Sequence, residues 1–150
     1  MRNRSRAFRA LSALLLAGPL AGASAGQGTE VQVSVTALRS EKGLVQACLT
    51  SDPKRFPDCD GDPTAHTLSA KASAHLVLEF GHVAPGHYAI SLLHDENGNG
   101  KVDRTLMIPT EGFGFSRDAK LRMGPPSFES AAFDVGSTPV RQSIRMRYLF

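Results

Sequence analysis

The sequence lacks the features that would place it in several large functional classes. None of its 150 residues is Trp, and only two are Cys. No apolar run reaches the about 18 residues that a membrane-spanning helix needs. The glycines form no phosphate-binding fingerprint, and the five His share no metal-ligand spacing. The sequence therefore gives no indication of a membrane span, a nucleotide-binding loop or a histidine metal centre.

The sequence also lacks a net basic charge once the first 25 residues are set aside. The formal net charge is +3, from 17 basic and 14 acidic side chains. Four of the basic side chains are Arg within the first nine residues, and no acidic residue precedes Glu30. Residues 26–150 therefore carry 13 basic and 14 acidic side chains, a net charge of −1. A nearly neutral chain lacks the basic surface that nucleic acid requires, so we expect no such partner.

Residues 1–25 have the composition of a secretory signal peptide. Four Arg are followed by an apolar run at 11–21 and by the small residues Ala23, Ser24 and Ala25. This order matches a positively charged region, an apolar region and a signal-peptidase site. The alternative, a buried N-terminal helix, would need a polar face, which 11–21 lacks. We predict that residues 1–25 are cleaved and that residues 26–150 form one domain, exported to the periplasm or the exterior.

Export changes the meaning of the two cysteines. Cys48 and Cys59 are an even pair, separated by ten residues that include Pro53 and Pro57. In an oxidising compartment such a pair favours a structural disulfide, which would contribute about 3 kcal/mol by closing the loop between them. The alternative is two separate thiols, with Cys48 buried in a strand. A zinc site is not expected, because two Cys without a nearby His pair do not complete a tetrahedral set.

Most of the remaining chain shows the two-residue periodicity of half-buried strands. Val31, Val33 and Val35 alternate with polar residues, and no apolar stripe of helical period extends beyond two turns. We predict strands at 31–38, 44–50, 75–80, 87–93, 131–135 and 140–148, and a loop over 51–72. Short strands separated by turns predict an all-β fold, a single antiparallel β-sandwich of about seven strands, prealbumin-like or immunoglobulin-like.

The strongest motif of the sequence lies at 94–103 and matches the first three quarters of an EF-hand calcium loop. The candidate ligands occupy alternate positions: Asp95, Asn97, Asn99, the backbone oxygen of Lys101, and Asp103. Gly100 would supply the sharp turn. Leu106 stands where an EF-hand has its bidentate Glu, so we expect a structural Ca²⁺ of low affinity, roughly millimolar. Glu111 could fold back to supply the missing carboxylate.

Two alternatives to a calcium loop remain open. Asn97-Gly98 and Asn99-Gly100 are both favoured in type I′ hairpin turns, so the loop could simply reverse the chain. His94 beside Asp95 also suggests a metal-assisted hydrolase that uses the 94–103 loop with His94 as base. Adjacent strand residues point to opposite faces, however, and no Ser nucleophile has a recognisable setting. We therefore expect no enzymatic activity.

The segment from Glu111 to Phe128 concentrates aromatic residues in a Gly- and Pro-rich stretch. Phe113, Phe115 and Phe128 are three of the eight Phe in the chain. A long loop in a small domain is usually functional or disordered, and three aromatics argue against disorder. One interpretation is an ordered flap over an open end of the sandwich, with the rings tucked inward. The other is an exposed aromatic surface that binds a glycan, a peptide or a partner protein.

Several of these motifs occur together in a fixed order. Pro-Gly-His-Tyr-Ala-Ile at 85–90 and the 94–103 loop precede Ile-Pro at 108–109, Glu-Gly-Phe-Gly-Phe-Ser at 111–116 and Pro-Pro-Ser-Phe-Glu at 125–129. That succession resembles the bacterial exported family known as domain of unknown function 2141. The resemblance implies a fold and a compartment but no reaction. The strand–turn pattern is also similar to prealbumin-like and collagen-adhesin-type B modules, some of which hold calcium in a comparable loop.

These observations favour an exported, monomeric β-sandwich that works by binding an unknown protein or glycan partner. Ca²⁺ would fix the 94–103 loop, and the Cys48–Cys59 disulfide would hold an earlier loop. The alternatives are the metal-assisted hydrolase and a purely structural protein of the cell envelope.

Overall fold

The computed structural model describes residues 28–102, 104–105 and 108–149, so the predicted signal peptide lies outside the described residues. Within these ranges the regular secondary structure is almost entirely strand. The strands are β1 (Thr29–Thr36), β2 (Leu44–Thr50), β3 (His66–Lys71), β4 (Val77–Val83), β5 (Gly86–Asp95), β6 (Arg104–Thr105), β7 (Ile108–Pro109), β8 (Gly112–Phe115), β9 (Phe133–Val135) and β10 (Val140–Arg145). A single 3₁₀ turn (Ser116–Asp118) and one helical turn, α1 (Phe128–Ala131), lie between β8 and β9.

The smaller sheet has the strand order β10-β1-β4. Its central strand β1 alternates buried Val31, Val33 and Val35 with side chains that are more exposed, as the periodicity predicts. β4 runs antiparallel to β1, whereas β10 runs parallel to it. The parallel pair departs from the predicted purely antiparallel sandwich. Periodicity shows which face of a strand is buried but not the direction of its neighbour.

The larger sheet has the order β3-β2-β5-β8, and β9 pairs with β5 beside β8. The two sheets together contain eight strands, which confirms an all-β sandwich with one strand more than the predicted seven. β6 and β7 form a separate two-stranded hairpin. The predicted loop over 51–72 is wrong at its end, because β3 occupies His66–Lys71. β8 likewise lies inside the segment interpreted as a flap.

The two unpredicted strands of the larger sheet, β3 and β8, have weak sequence signals for a physical reason. β3 is an edge strand whose inward side chains, including Leu68 and Ala70, are only partly buried, so its alternation has low contrast. β8 carries Gly where other strands carry an inward apolar residue. A Cβ on Gly114 would lie 2.7 Å from the side chain of Ile144 in β10. The close approach of β8 and β10 therefore leaves room only for the hydrogen of a glycine.

The main hydrophobic core lies between the two sheets. Val33 of β1 and Ile144 of β10 face Val45 of β2 and Ile90 of β5, and all four side chains are fully buried. Phe113 and Arg147 exchange two backbone hydrogen bonds, of 2.9 and 2.8 Å, which connect the end of the chain to β8. The sandwich is therefore closed along that side by backbone pairing as well as by packing.

A second, smaller cluster lies on the outer face of the larger sheet. Its buried members are Ala89, Phe115, Phe128, Ala131 and Ala132, and Phe56 packs against them. The Phe56 ring meets the Phe115 and Phe128 rings edge-on, with centroids 5.9 and 6.0 Å apart. Within the part of the chain that the structure describes, no helix has the length and apolar character to cross a bilayer.

Candidate binding groove and the loop beside it

The outer face of the larger sheet forms the floor of an open groove of about 1540 Å³. One row of side chains, in register across the four strands, contains Ser69, Gln46, Leu93 and Phe113. Polar side chains occupy β3 and β2 in this row, and half-buried apolar side chains occupy β5 and β8. The floor is therefore polar on one side and apolar on the other.

Three stretches outside the sheet complete the lining of the groove. They are residues 57–60, residues 100–102 and residues 121–125. Among the described residues three large apolar side chains are exposed, and two of them, Met123 and Leu149, line this groove. Exposed apolar side chains gathered in one concavity are typical of a binding surface rather than of an ordinary protein surface.

The disulfide predicted between Cys48 and Cys59 is confirmed, with Cα atoms 5.9 Å apart. It holds residues 51–62 against the sheet. Two hydrogen bonds assist it: the Ser91 hydroxyl donates to the Pro57 carbonyl, and the Thr50 hydroxyl donates to Asp62, each at 2.5 Å. The bond from Thr50, together with those from Thr64, lowers the pKa of Asp62 to about 2.

The three phenylalanines that the sequence grouped differ in burial. Phe115 and Phe128 are buried in the second cluster, whereas Phe113 packs against that cluster and is half-buried. Phe113 and Phe115 line the groove. The interpretation as an ordered flap is therefore the better one for Phe115 and Phe128. The flap covers the outer face of the larger sheet, however, and not an open end of the sandwich. Phe115 and Phe128 are 3% and 6% exposed, and a binding role for the three rings stays a prediction.

The 94–103 loop wraps around the carboxylate of Asp95, which is fully buried. One carboxylate oxygen accepts hydrogen bonds from the backbone N–H groups of Gly98 and Asn99, at 2.7 and 3.2 Å. The other accepts from the N–H of Gly100 at 2.8 Å and from the side chain of Gln46 at 3.2 Å. Four N–H donors therefore surround this carboxylate, and they tie the loop to β2.

The other predicted calcium ligands lie on the exposed part of this loop. The side-chain oxygen of Asn97 accepts from the N–H of Asn99 at 3.0 Å, and that of Asn99 accepts from the N–H of Lys101 at 2.8 Å. Gly100 has a φ of +73°, which is the left-handed turn that its predicted role requires. Asp103 lies outside the described residues. Within those residues no group of three or more His, Cys, Asp or Glu could hold a metal ion, so the calcium set stays a prediction.

His94 serves as a structural residue at the base of the loop. Its ring is fully buried, with Nε2 2.9 Å from the Lys42 carbonyl and Nδ1 2.7 Å from the Tyr148 hydroxyl. Because a carbonyl only accepts, we assign the proton to Nε2, and Nδ1 then accepts from Tyr148. A ring in this position cannot reach a substrate, so the hypothesis that His94 acts as a general base has no support from the geometry.

A second polar group at the base of the loop was missed by the sequence analysis. The Arg39 guanidinium lies 4.4 Å from the centre of the Tyr148 ring and donates to Glu96, which also accepts from Ser40 at 2.5 Å. The hydrogen bond from Arg39, followed by that from Ser40, lowers the pKa of Glu96 to about 2. Burial raises the pKa of Tyr148. These residues are far apart in the chain and have no shared spacing, so no sequence signal could have revealed the group.

The sequence that forms these features matches a known protein family. The family model described as "uncharacterized protein conserved in bacteria (DUF2141)" matches residues 33–143. The chain belongs to the DUF2141 family. The DUF2141 match extends from β1 into β10 and includes the disulfide, the 94–103 loop and most of the groove, so the resemblance inferred from the ordered motifs is confirmed. Comparison with curated proteins and with solved structures yields no match, and the likeness to prealbumin-like modules stays a prediction.

Proposed function

We propose that this DUF2141 protein is an exported, monomeric binding module without enzymatic activity, and that its ligand lies in the groove on the larger sheet. The observation that carries the proposal is the gathering of Leu93, Phe113, Met123 and Leu149 in one concavity. A half-buried floor with exposed apolar side chains beside it can remove a ligand's apolar groups from water. The leader-like N-terminus and the disulfide both support export.

The chemistry of the lining favours an extended segment of a partner protein as the ligand. Polar Ser69 and Gln46 lie beside apolar Leu93 and Phe113, which suits a peptide that carries both polar and apolar side chains. Charges of both signs also border the groove, with carboxylates on residues 58 and 60 and cations on residues 101 and 122. A peptide can complement both signs, whereas a neutral glycan offers neither.

Selection from a displayed random-peptide library tests this proposal, with a glycan array examined in parallel. Met123→Asp should weaken the selected peptides about tenfold, because it removes apolar contact area and adds a desolvated charge. Val77→Asp is the matched control: Val77 is exposed in β4, does not line the groove, and should leave affinity unchanged. Binding to glycans alone would show that the partner class is wrong. Binding to neither would favour the purely structural protein of the cell envelope.

We further propose that Asp95, Asn97, Asn99, the Lys101 backbone oxygen and Asp103 hold a structural Ca²⁺. The support is the chain path, since the loop already curls around the buried Asp95 carboxylate. An amide oxygen has two lone pairs, so an oxygen that accepts one N–H can also coordinate a cation. Glu111 is buried directly before β8, next to the strand pair His94 and Gly112, where it could add a carboxylate. Because N–H donors already surround Asp95, the affinity should be low.

Thermal melting with excess chelator and then with about 1 mM Ca²⁺ tests the calcium proposal. For a dissociation constant of about 0.1 mM, mass action predicts a rise in Tm of roughly 3–8 °C. Mg²⁺ should not reproduce the rise, and Asp95→Ala should abolish it. Asp95→Ala will lower the Tm in chelator in any case, so the Ca²⁺-dependent shift is the informative quantity. An unchanged Tm up to about 10 mM Ca²⁺ would show that the loop binds no Ca²⁺ and serves only as a hairpin turn.

A further inference from the structure

Residues 51–62, here named the lid, lie across the outer face of the larger sheet. At one end the disulfide joins Cys59 to Cys48 of β2. In the middle the Phe56 ring packs edge-on against Phe115 and Phe128. Besides its chain connections to β2 at Thr50 and toward β3, the lid is attached to the sheet by the disulfide and by the packing of one aromatic ring.

Few other bonds connect the lid to the sheet. The backbone hydrogen bonds within it, such as Cys59 N–H to the Arg55 carbonyl at 2.8 Å, are local and stabilise only its own turns. Outward bonds run from Ser91 to the Pro57 carbonyl, from Thr50 to Asp62, and from the Asp52 N–H to the Thr50 hydroxyl. None of these bonds involves strand backbone. Apart from the chain connections at its two ends, the disulfide is thus the strongest link between the lid and the sheet.

The hydrophobic cluster under the lid is separate from the main core. The main core lies between the sheets and contains no residue of the lid, whereas the second cluster lies on the other face of β5 and β8 and includes Phe56. Moving the lid away would therefore uncover Phe115 and Phe128 and leave the packing between the sheets in place. The lid also supplies Pro57, Asp58 and Asp60 to the groove lining, so its movement would reshape the groove.

We propose that the lid is a redox-controlled cover, closed when Cys48 and Cys59 are oxidised and open when they are reduced. The co-reactant is a dithiol. A thiolate of the dithiol attacks one sulfur and breaks the Cys48–Cys59 bond, and its second thiol resolves the mixed disulfide. Two electrons and two protons pass to the cysteines, which become thiols, and the dithiol closes to a disulfide. The proposal concerns the lid itself and holds whatever occupies the groove.

The lid also controls access to its own disulfide. Cys48 and Cys59 are each only 7% exposed, so we expect a dithiol to reach a sulfur more readily when the lid lifts. Loss of the Phe56 ring should make lifting more frequent. Phe56→Ala should therefore accelerate reduction by excess dithiothreitol about tenfold. Phe133→Ala is the matched control, because Phe133 is also half-buried but packs against the main core, and it should leave the rate unchanged.

Hydrogen exchange of the purified protein, oxidised and then reduced, provides the second measurement. Reduction should accelerate exchange about a hundredfold in residues 51–62 and should leave β1 unchanged. The double variant Cys48→Ala/Cys59→Ala should show the same pattern without reductant. Equal acceleration in β1 would overturn the proposal, since the disulfide would then support the whole domain. It would also be overturned by unchanged exchange in the lid, or by Phe56→Ala and Phe133→Ala having the same reduction rate.

Discussion

The two faces of the larger sheet are stabilised in different ways. The inner face packs Val45, Leu49, Ile90 and Leu92 against the smaller sheet, and all four side chains are at most 1% exposed. The outer face is covered only in part, by the lid and by the segment that carries Phe128. Strand alternation alone produces the inner face, whereas the outer face depends on a disulfide, three aromatic rings and a few side-chain hydrogen bonds.

This difference explains why the candidate function lies on the outer face. A face fully covered by strands has no room for a ligand, and its close packing tolerates little change. A face covered by loops keeps a groove, and its loops can differ in length and chemistry without loss of the sandwich. The rigid inner face supports the outer one, because each strand that lines the groove is held from behind by the main core.

The largest expected effect comes from a cavity between the sheets. Ile144 is fully buried in the main core, so Ile144→Ala should lower the free energy of unfolding by about 3 kcal/mol, measured by urea denaturation. Phe128→Ala removes a larger side chain, but from the smaller cluster, which lies beside an open groove and can collapse. We expect it to cost about 2 kcal/mol, which is below the usual range for this change, because the cost depends on how far the site can collapse. A greater cost for Phe128→Ala than for Ile144→Ala would contradict the division of the molecule into a supporting and a supported face.

An intermediate effect should follow from Asp95, the polar anchor at one end of the groove. Asp95→Ala leaves three backbone N–H groups of the loop and the Gln46 amide without their acceptor, which should cost about 2 kcal/mol. Asn97→Ala, which removes one exposed acceptor, should cost only about 0.5 kcal/mol. Both are measured by urea denaturation in chelator, so that Ca²⁺ makes no contribution. Equal costs would mean that the buried carboxylate does not organise the loop.

The inner face could be predicted from the sequence, whereas much of the outer face could not. The alternation of Val31, Val33 and Val35 is local, and it identified β1 because burial of a strand face depends on residues two apart. The disulfide followed from an even pair of cysteines in an exported chain. The sequence drew attention to Phe113 and Phe128 because aromatic residues are concentrated in that segment. Only the folded chain shows that the Phe113 ring lines the groove and that the Phe128 ring is buried.

The residues at the base of the 94–103 loop were beyond sequence reasoning because their contacts are long-range. Arg39 meets Glu96 across 57 positions, and His94 meets Tyr148 across 54. Their spacing has no period, and each residue alone is ordinary in a turn or at a strand end. The groove also depends on long-range contacts, since residues 57–60 and 121–125 come together only when the larger sheet has formed.

The smallest effect concerns acid stability, where the base of the loop can be compared with the lid. The folded-state pKa of Glu96 is lowered from 4.5 to about 2, and that of Asp62 from 3.8 to about 2. A lowered folded-state pKa stabilises the protein above the unfolded-state value, and this stabilisation is lost as the pH falls toward about 2. Glu96→Gln should therefore destabilise the protein near neutral pH by at most about 1 kcal/mol, since the Arg39–Glu96 pair is partly exposed.

Urea midpoints between about pH 7 and pH 2 separate the two carboxylates. The difference between the wild-type protein and Glu96→Gln should shrink as the pH falls through this window. The difference between the wild-type protein and Asp62→Asn should shrink in the same way. The effect of Asp62→Asn on hydrogen exchange should be confined to the lid, because Asp62 bonds Thr50 and Thr64 and no residue at the base of the 94–103 loop. A difference that stays constant with pH would mean that Glu96 acts through its shape and not its charge. Faster exchange in β1 of Asp62→Asn would show that the lid and the main core unfold together.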